Sequence, residues 1–280
     1  MALASLLHPF TAETAVFLVA VGFGVGAFGT LIGAGGGFIL TPILLLLYPH
    51  DSAKTLTAIS LAAVFFNAAS GTTAYAHQHR VDYRSGIPFA LATLPGAIAG
   101  ALVVGDVSRH VFDAITGGVL ALLAVWLFTG ERWPLPLPQR HLTQRVVTDR
   151  SGTRYEYSVP VRLGVLYSLA VGFLSSFLGI GGGVIHVPLL VRALGFPMHL
   201  ATATSHFVLA TMAGAGTITH VVNGSFAHGH GWRRTASLSA GVVAGAQLGA
   251  HVSLRLRGAV IQWLLAGTLV ALSVRLLLAA

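Results

Sequence analysis

Apolar runs separated by short polar or Pro/Gly-containing breaks dominate the sequence. A helix needs about 20 residues to cross the ~30 Å apolar core of a bilayer, and most of the runs reach that length. Two runs are too short to cross, and each begins at the last of three consecutive glycines. The pattern predicts an all-α integral membrane protein with about ten transmembrane or partly spanning helices. The predicted segments are 14–32, 37–48, 53–78, 85–104, 110–129, 161–179, 183–194, 198–222, 235–253 and 257–278.

The two glycine runs belong to an internal repeat. Residues 33–42 (GAGGGFILTP) align with residues 179–188 (GIGGGVIHVP), with six of ten positions identical at an offset of 146. The matches continue in the same order through roughly 100 residues, which favours a duplication over chance. Among these later matches, at an offset of 145, are Thr57 with Thr202, Ser60 with Ser205 and Gly71 with Gly216.

The repeat divides the chain into a first repeat of the membrane domain (1–129), a connection (130–160) and a second repeat (161–280). Because each repeat has five segments, an odd number, we expect two inverted five-segment repeats with broken helices at the glycine motifs. If the short segments re-enter the membrane instead of crossing it, the repeats would be parallel. The sequence leaves that alternative open.

The connection begins with Pro134, Pro136 and Pro138, which cannot continue a helix. A strand–turn–strand pattern over 145–157 follows and predicts a small β-hairpin. Arginines are more numerous in this connection and in the loops on its face, so the positive-inside rule places it in the cytoplasm. The opposite face is expected to carry Lys54, Arg109, Arg233, Arg234 and Arg275.

Composition narrows the class further. Hydrophobic residues make up 55% of the 280 residues and charged residues 9%, whereas soluble domains carry about 25% charged residues. A soluble enzyme is therefore excluded. The formal charge of +8 lies mainly in loop arginines and is interpreted as a topology signal, not as a nucleic-acid surface. The chain has no cysteine, and no motif predicts a catalytic nucleophile, a metal or a cofactor.

The glycine motifs predict a binding site for a small anion. Paired short, glycine-led segments at matching positions of two repeats are typical of a transport site near the bilayer midplane. The N-terminus of a helix offers free N–H groups and a positive dipole end, which prefer anions. Carboxylates are nearly absent from the apolar segments, although cation transporters usually keep buried ones.

Polar residues in the third and eighth segments and near the glycines complete the candidate set. Their hydroxyl, amide and imidazole groups can donate hydrogen bonds to anionic oxygens. The alternative is that each packs in the core and bonds to a neighbouring backbone. The candidate substrate-binding residues are Gly35, Gly36, Gly37, Thr57, Ser60, Asn67, Gly181, Gly182, Gly183, His186, Thr202, Ser205 and His206.

The two glycine motifs and the duplicated layout give the chain its resemblance to a known family. It resembles the TauE/SafE family, also called the sulfite exporter or toluenesulfonate uptake permease family. This resemblance implies a multi-pass transporter of the bacterial inner membrane. Members of the family are associated with sulfite and with sulfonates such as taurine or sulfoacetate, and with both export and uptake, so the resemblance leaves the substrate and the direction open. From the repeats we expect alternating access around a midplane anion site.

The other functions left open are a passive anion channel and a carrier of other small organic anions. The expected partners are the small anionic substrate and membrane lipid. A coupling proton or ion and a homodimer are left open, and nucleic acid is not expected.

Overall fold

The computed structural model describes residues 10–129, 142–227 and 230–277. Within these ranges each of the ten predicted segments corresponds to one α-helix, with bounds that agree within four residues. This confirms the all-α fold class. The helices are α1 Ala12–Leu31, α2 Gly37–Leu47, α3 Ala53–His77, α4 Tyr83–Val103, α5 Arg109–Thr129, α6 Val161–Leu178, α7 Gly183–Arg192, α8 Met198–Val222, α9 Gly231–Ser253 and α10 Gly258–Leu277.

Four helices of the described ranges are long and apolar enough to span a membrane: α1, α3, α4 with its following turn, and α6. Three of the four start at a polar cap, whereas α6 starts after Pro160 with no side-chain cap. Ser52 accepts a hydrogen bond from the Thr55 N–H at the start of α3, and Asp82 accepts one from the Ser85 N–H at the start of α4. Such caps satisfy N–H groups that have no partner inside the helix.

Helix α9 differs from its predicted segment at its start. It begins at Gly231, four residues before the predicted boundary, so Arg233 and Arg234 lie in its first turn and not in a loop. Arg233 is exposed, whereas Arg234 is buried and pairs with Asp51. The prediction that both arginines act as loop charges was therefore wrong for Arg234, because an acidic partner neutralises it.

Glycines allow helices of the two halves to pack backbone against backbone. A Cβ added to Gly241, Gly245 or Gly249 of α9 would collide with carbonyl oxygens of α1. The same holds for Gly96 and Gly100 of α4 against α6. Small residues permit this close approach, and the resulting van der Waals contacts stabilise the helix pairs. Lipid is itself apolar, so the hydrophobic effect contributes little to their association. Each half thus contributes its first helix to a pair with the fourth helix of the other half.

Helices α3 and α8 form the central pair and run antiparallel. Near the end of α3, Gly71 lies against His206 of α8, and nearer its start Leu61 lies against Gly216. Both helices are buried along most of their length. Val64 of α3 lies against both Gly37 and Gly181, so the two glycine motifs meet beside this central pair.

The predicted β-hairpin is present in the connection. Strands β1 Thr143–Thr148 and β2 Arg154–Val159 pair antiparallel. Pro134, Pro136 and Pro138 lie outside the described residues. The hairpin docks on the α3–α4 loop, where the Tyr157 hydroxyl donates to Asp82 Oδ2 at 2.9 Å. The Tyr157 ring also packs on Phe196 of the α7–α8 loop, with ring centroids 4.9 Å apart. The hairpin therefore contacts both halves.

Burial, together with the neighbouring Asp82 carboxylate, raises the pKa of Tyr157 well above its ordinary value. The hydroxyl is therefore a constant donor. We expect Tyr157→Phe to lower the free energy of unfolding by about 1.5 kcal/mol, since a hydrogen bond to a charged group is lost. The measurement is the thermal unfolding midpoint, with Tyr155→Phe as control because its 3.3 Å bond to Asp149 is less buried. Equal midpoints for the two variants would contradict this docking role.

Candidate functional site

Both glycine motifs interrupt the helices in the interior of the protein. Gly33, Gly35 and Gly36 have φ values of 79°, 74° and 79°, and Gly179 and Gly181 have φ values of 65° and 61°. These left-handed conformations are accessible to glycine at little cost. The chain can therefore leave α1 and start α2 within five residues, and it leaves α6 and starts α7 in the same way.

The first turns of α2 and α7 meet across the centre. A Cβ on Gly37 would contact Ile180, and a Cβ on Gly183 would contact the Gly33 carbonyl and Ala34. The two short helices therefore present their N-termini to each other's glycine motif. In this arrangement Gly35, Gly36, Gly181 and Gly182, four of the predicted site residues, surround the two helix tips.

Both helix tips carry N–H groups that their own helix cannot satisfy. In α2 the first helical bonds run from Ile39 and Leu40 to the Gly36 carbonyl. In α7 they run from Ile185 and His186 to the Gly182 carbonyl. The preceding N–H groups in each first turn have no intrahelical acceptor, and the positive ends of the two helix dipoles add at this point.

The loops before the short helices each rest on the long helix of the opposite half. Gly33 packs against Thr202 of α8, and Gly179 packs against Thr57 of α3. The Gly179 carbonyl oxygen lies 2.7 Å from Thr41 Oγ1 and 2.8 Å from Ser60 Oγ and accepts from both hydroxyls. These contacts make the packing reciprocal between the halves.

Two predicted hydroxyls are thus already engaged with backbone. Ser60 donates to the Gly179 carbonyl, and Thr202 donates to the His199 carbonyl of its own helix at 2.9 Å. By contrast, the hydroxyl of Thr57 is buried and has no hydrogen-bond partner. The matched pair of threonines therefore differs in what each hydroxyl can offer a ligand.

A first polar cluster surrounds the end of α1. Asn67 Oδ1 accepts from Thr30 Oγ1 at 3.2 Å, and His206 Nε2 lies 3.3 Å from the same hydroxyl. His206 Nδ1 lies 3.2 Å from the Thr202 carbonyl oxygen, and the Tyr75 hydroxyl donates to the Thr30 carbonyl at 2.7 Å. His206 is thus held on both ring nitrogens, while the Asn67 amide nitrogen is buried without a partner.

Thr30 and Tyr75 were missed by the sequence reasoning. Thr30 could have been found, because the offset of the glycine motifs matches it to Ser176 in the second repeat. Tyr75 offers no comparable signal, because a tyrosine in an apolar segment can equally be an ordinary core residue.

A second polar cluster lies at the tip of α7. His186 Nε2 lies 3.3 Å from Ser168 Oγ, and its Nδ1 has no partner. A narrow crevice with no room for a water molecule runs beside Gly182, His186 and Ser205. The interior is therefore packed closed around this cluster.

Several buried polar atoms near the glycine motifs have no hydrogen-bond partner within the described ranges. Buried polar groups are normally paired, and an unpaired one costs free energy unless a water or ligand completes it. Six such atoms lie on α3, α6, α7 and α8 near the glycine motifs, and they make this interior the candidate site. The atoms are Thr57 Oγ1, Asn67 Nδ2, Ser175 Oγ, Ser176 Oγ, His186 Nδ1 and Ser205 Oγ.

Helices long and apolar enough to span a membrane, together with two interior helix tips and unsatisfied donors, are features expected of a membrane transport protein. Comparison with known proteins agrees. The sequence profile described as sulfite exporter TauE/SafE matches residues 18–276. The chain therefore belongs to the TauE/SafE sulfite exporter family of membrane transporters.

Individual relatives support the same class. The chain is 30% identical over 249 residues to the probable membrane transporter protein YunE of Bacillus subtilis, covering 86% of this chain and 89% of that protein. It is 27% identical over 209 residues to the probable membrane transporter protein MJ0441 of Methanocaldococcus jannaschii, covering 73% and 71% of the two chains. No solved structure matches the chain significantly.

Proposed function

We propose that this protein is a secondary transporter of small sulfur oxyanions or organosulfur anions, such as sulfite, taurine or sulfoacetate. The substrate would bind between the tips of α2 and α7. The observation that carries this proposal is the group of buried donors without partners around two helix N-termini. The family description, which names sulfite export, supports the choice of substrate class.

The donor chemistry suits an oxyanion. The oxygens of a sulfite or sulfonate group accept hydrogen bonds and donate none when ionised. The tips of α2 and α7 offer backbone N–H groups, Asn67 offers an amide N–H, and Ser205 offers a hydroxyl. None of these groups is a carboxylate, which would repel the anion. Two helix dipoles supply positive potential without a buried Lys or Arg.

The packing supports inverted repeats over parallel ones. Helices α3 and α8 hold matching positions and run antiparallel. The pseudo-twofold axis that relates them is therefore perpendicular to both helices. If both helices cross the membrane, this axis lies in the membrane plane. The reciprocal pairs α1–α9 and α4–α6 obey the same axis. Rocking of one repeat against the other would then expose the site alternately to each side.

Two sets of contacts join the two halves, one at each end of the protein. At one end Asp51 of the first half pairs with Arg234 of the second. At the other end the hairpin joins Asp82 and Phe196 of the two halves through Tyr157. We assign the hairpin end to the cytoplasm of a bacterial inner membrane, because the loop arginines concentrate there.

The test of substrate class is a thermal-shift screen of the purified protein with sulfite, sulfate, thiosulfate, taurine, sulfoacetate and carboxylate controls. Stabilisation by sulfite or a sulfonate is expected, because a ligand that binds only the folded state raises its stability. Stabilisation by carboxylates alone would overturn the organosulfur assignment. In proteoliposomes a carrier shows saturable exchange with counterflow, whereas ion conductance across a planar bilayer would identify a channel instead.

A further inference from the structure

A second cavity lies at the hairpin end of the protein, away from the helix tips. Its volume is about 420 Å³, and it opens between the hairpin turn and the ends of α3 and α9. This volume falls within the ~300–1,000 Å³ typical of small-molecule sites. The residues that line it are Ala74, His77, Gln78, Arg80, Asp149, Arg150, Ser151, Gln247, His251 and Leu254.

Hydrogen bonds fix the walls of this cavity. The Arg150 N–H of the hairpin turn donates to the Gln78 carbonyl at 3.0 Å. The side chain of Gln78 donates through Nε2 to the Ala250 carbonyl of α9 at 3.3 Å. One residue, Gln78, thus ties the turn to the end of α3 and α3 to α9. The docked hairpin therefore forms one wall of the cavity, which stays open to solvent on one side.

Arg80 is the central chemical group of this cavity. It is only 2% exposed, and its guanidinium donates to Gln78 Oε1 at 3.1 Å, to the His199 carbonyl at 3.2 Å and to Ser253 Oγ at 3.5 Å. It also lies over the Tyr75 ring, 5.5 Å from the ring centroid. Within the described part of the chain no carboxylate lies at ion-pair distance from it. Burial lowers the pKa of Arg80 from its ordinary value. Asp149 attracts this charge only from beyond ion-pair distance, so a directly bound anion would stabilise the buried cation further.

The one acidic residue of the cavity is committed elsewhere. Asp149 Oδ1 accepts from the Ser151 N–H at 2.9 Å and the Thr153 N–H at 3.0 Å, and Oδ2 accepts from the Tyr155 hydroxyl. These bonds hold the hairpin turn. Arg150 adds a second positive charge to the cavity wall. The walls therefore carry more positive than negative charge.

We propose that this cavity is a second anion site, which binds a phosphate, sulfate or sulfonate head attached to an organic body. Arg80 would hold the head through its guanidinium, whose planar fork suits tetrahedral oxyanions. Arg150 adds charge from the hairpin turn. Ala74 and Leu254 form an apolar wall for the organic part. This site goes beyond the proposed transport function and does not depend on it.

The same chemistry has two sources, a soluble organic anion and the headgroup of an anionic phospholipid. The first arm of the test uses the full chain in phosphatidylcholine nanodiscs and titrates glycerol 3-phosphate and methanesulfonate by calorimetry. The second arm measures, by native mass spectrometry, the phosphatidylglycerol that remains bound after purification. Both arms compare the unmodified protein with Arg80→Gln, Arg150→Ala and the control Arg84→Gln, which removes an exposed charge from the first turn of α4.

Arg80→Gln is expected to weaken binding in one arm by about tenfold or more, since a charge-assisted contact is lost. Arg150→Ala is expected to weaken it about threefold, and Arg84→Gln to leave it unchanged. The arm that responds identifies the source of the anion. Arg150 is exposed, so Arg150→Ala decides the question if Arg80→Gln does not fold. No binding to the unmodified protein in either arm, or equal binding by every folded variant, would overturn the proposal.

Discussion

A protein with Gly36→Val is expected to lose transport, with initial rates at least about 100-fold lower. Gly36 has a φ of 79° in the turn before α2, and a β-branched residue there is strained by roughly 1–3 kcal/mol. A Cβ would also meet the Val25 carbonyl oxygen at 2.9 Å. The tip of α2 must shift to relieve both, and it then no longer faces the tip of α7. The measurement is uptake of radiolabelled sulfite into proteoliposomes.

Gly118→Val is the matched control for this prediction. Gly118 lies in α5, and nothing within 4 Å would meet a Cβ there. The same substitution should leave transport within about twofold of the unmodified protein, since a surface change of this kind costs less than about 1 kcal/mol. The amount of folded protein is measured by size-exclusion chromatography for both variants. Full transport by folded Gly36→Val protein would contradict the assignment of the α2 tip to the substrate site.

The second large effect is expected for Arg234→Met. Arg234 is buried, bonds to Asp51 Oδ2 and lies over the ring of Tyr48 at 3.6 Å from its centroid. Removal of one partner leaves the other charge in a desolvated position, which costs about 3–5 kcal/mol for fully buried pairs. Because Asp51 is 17% exposed, the lower end of that range, about 3 kcal/mol, is expected. The measurement is the free energy of unfolding in mixed micelles.

Arg233→Met provides a control at the neighbouring position, because Arg233 is exposed in the same helical turn. It should change stability by less than about 0.5 kcal/mol. The pair Asp51→Asn with Arg234→Met should recover part of the loss, because no uncompensated charge then remains. If Arg233→Met and Arg234→Met were equally stable, the ion pair would not hold the two halves together at this end.

Much of the fold could be predicted from the sequence, because the signals that define a membrane helix lie within or beside that helix. Apolar runs between polar caps such as Ser52 and Asp82 fixed the helix bounds within a few residues. The hairpin followed from a turn between two short strand patterns. The glycine motifs predicted interior helix starts, because left-handed backbone and close approach both require glycine.

Long-range partners did not follow from the sequence. No residue near Arg234 in the sequence shows that it pairs with Asp51, which lies 183 residues away. The sequence therefore predicts a loop charge where the structure has a buried ion pair. The engagement of Ser60 with Gly179 and the cluster of Thr30, Tyr75 and His206 also depend on how the halves interlock. The cavity at Arg80 exists only because the hairpin docks over it.

The most direct measurement of the central claim is equilibrium binding of radiolabelled sulfite to the purified protein and to Asn67→Leu and Ser205→Ala. Both substitutions remove a buried donor that has no protein partner. The account predicts saturable binding to one site, weakened about tenfold or more by each substitution, which corresponds to ~1.4 kcal/mol. Ser237→Ala, at a serine of α9 whose hydroxyl already donates to the Arg233 carbonyl, should bind as the unmodified protein does. Absence of saturable binding, or equal affinity in Asn67→Leu, Ser205→Ala and the unmodified protein, would contradict it.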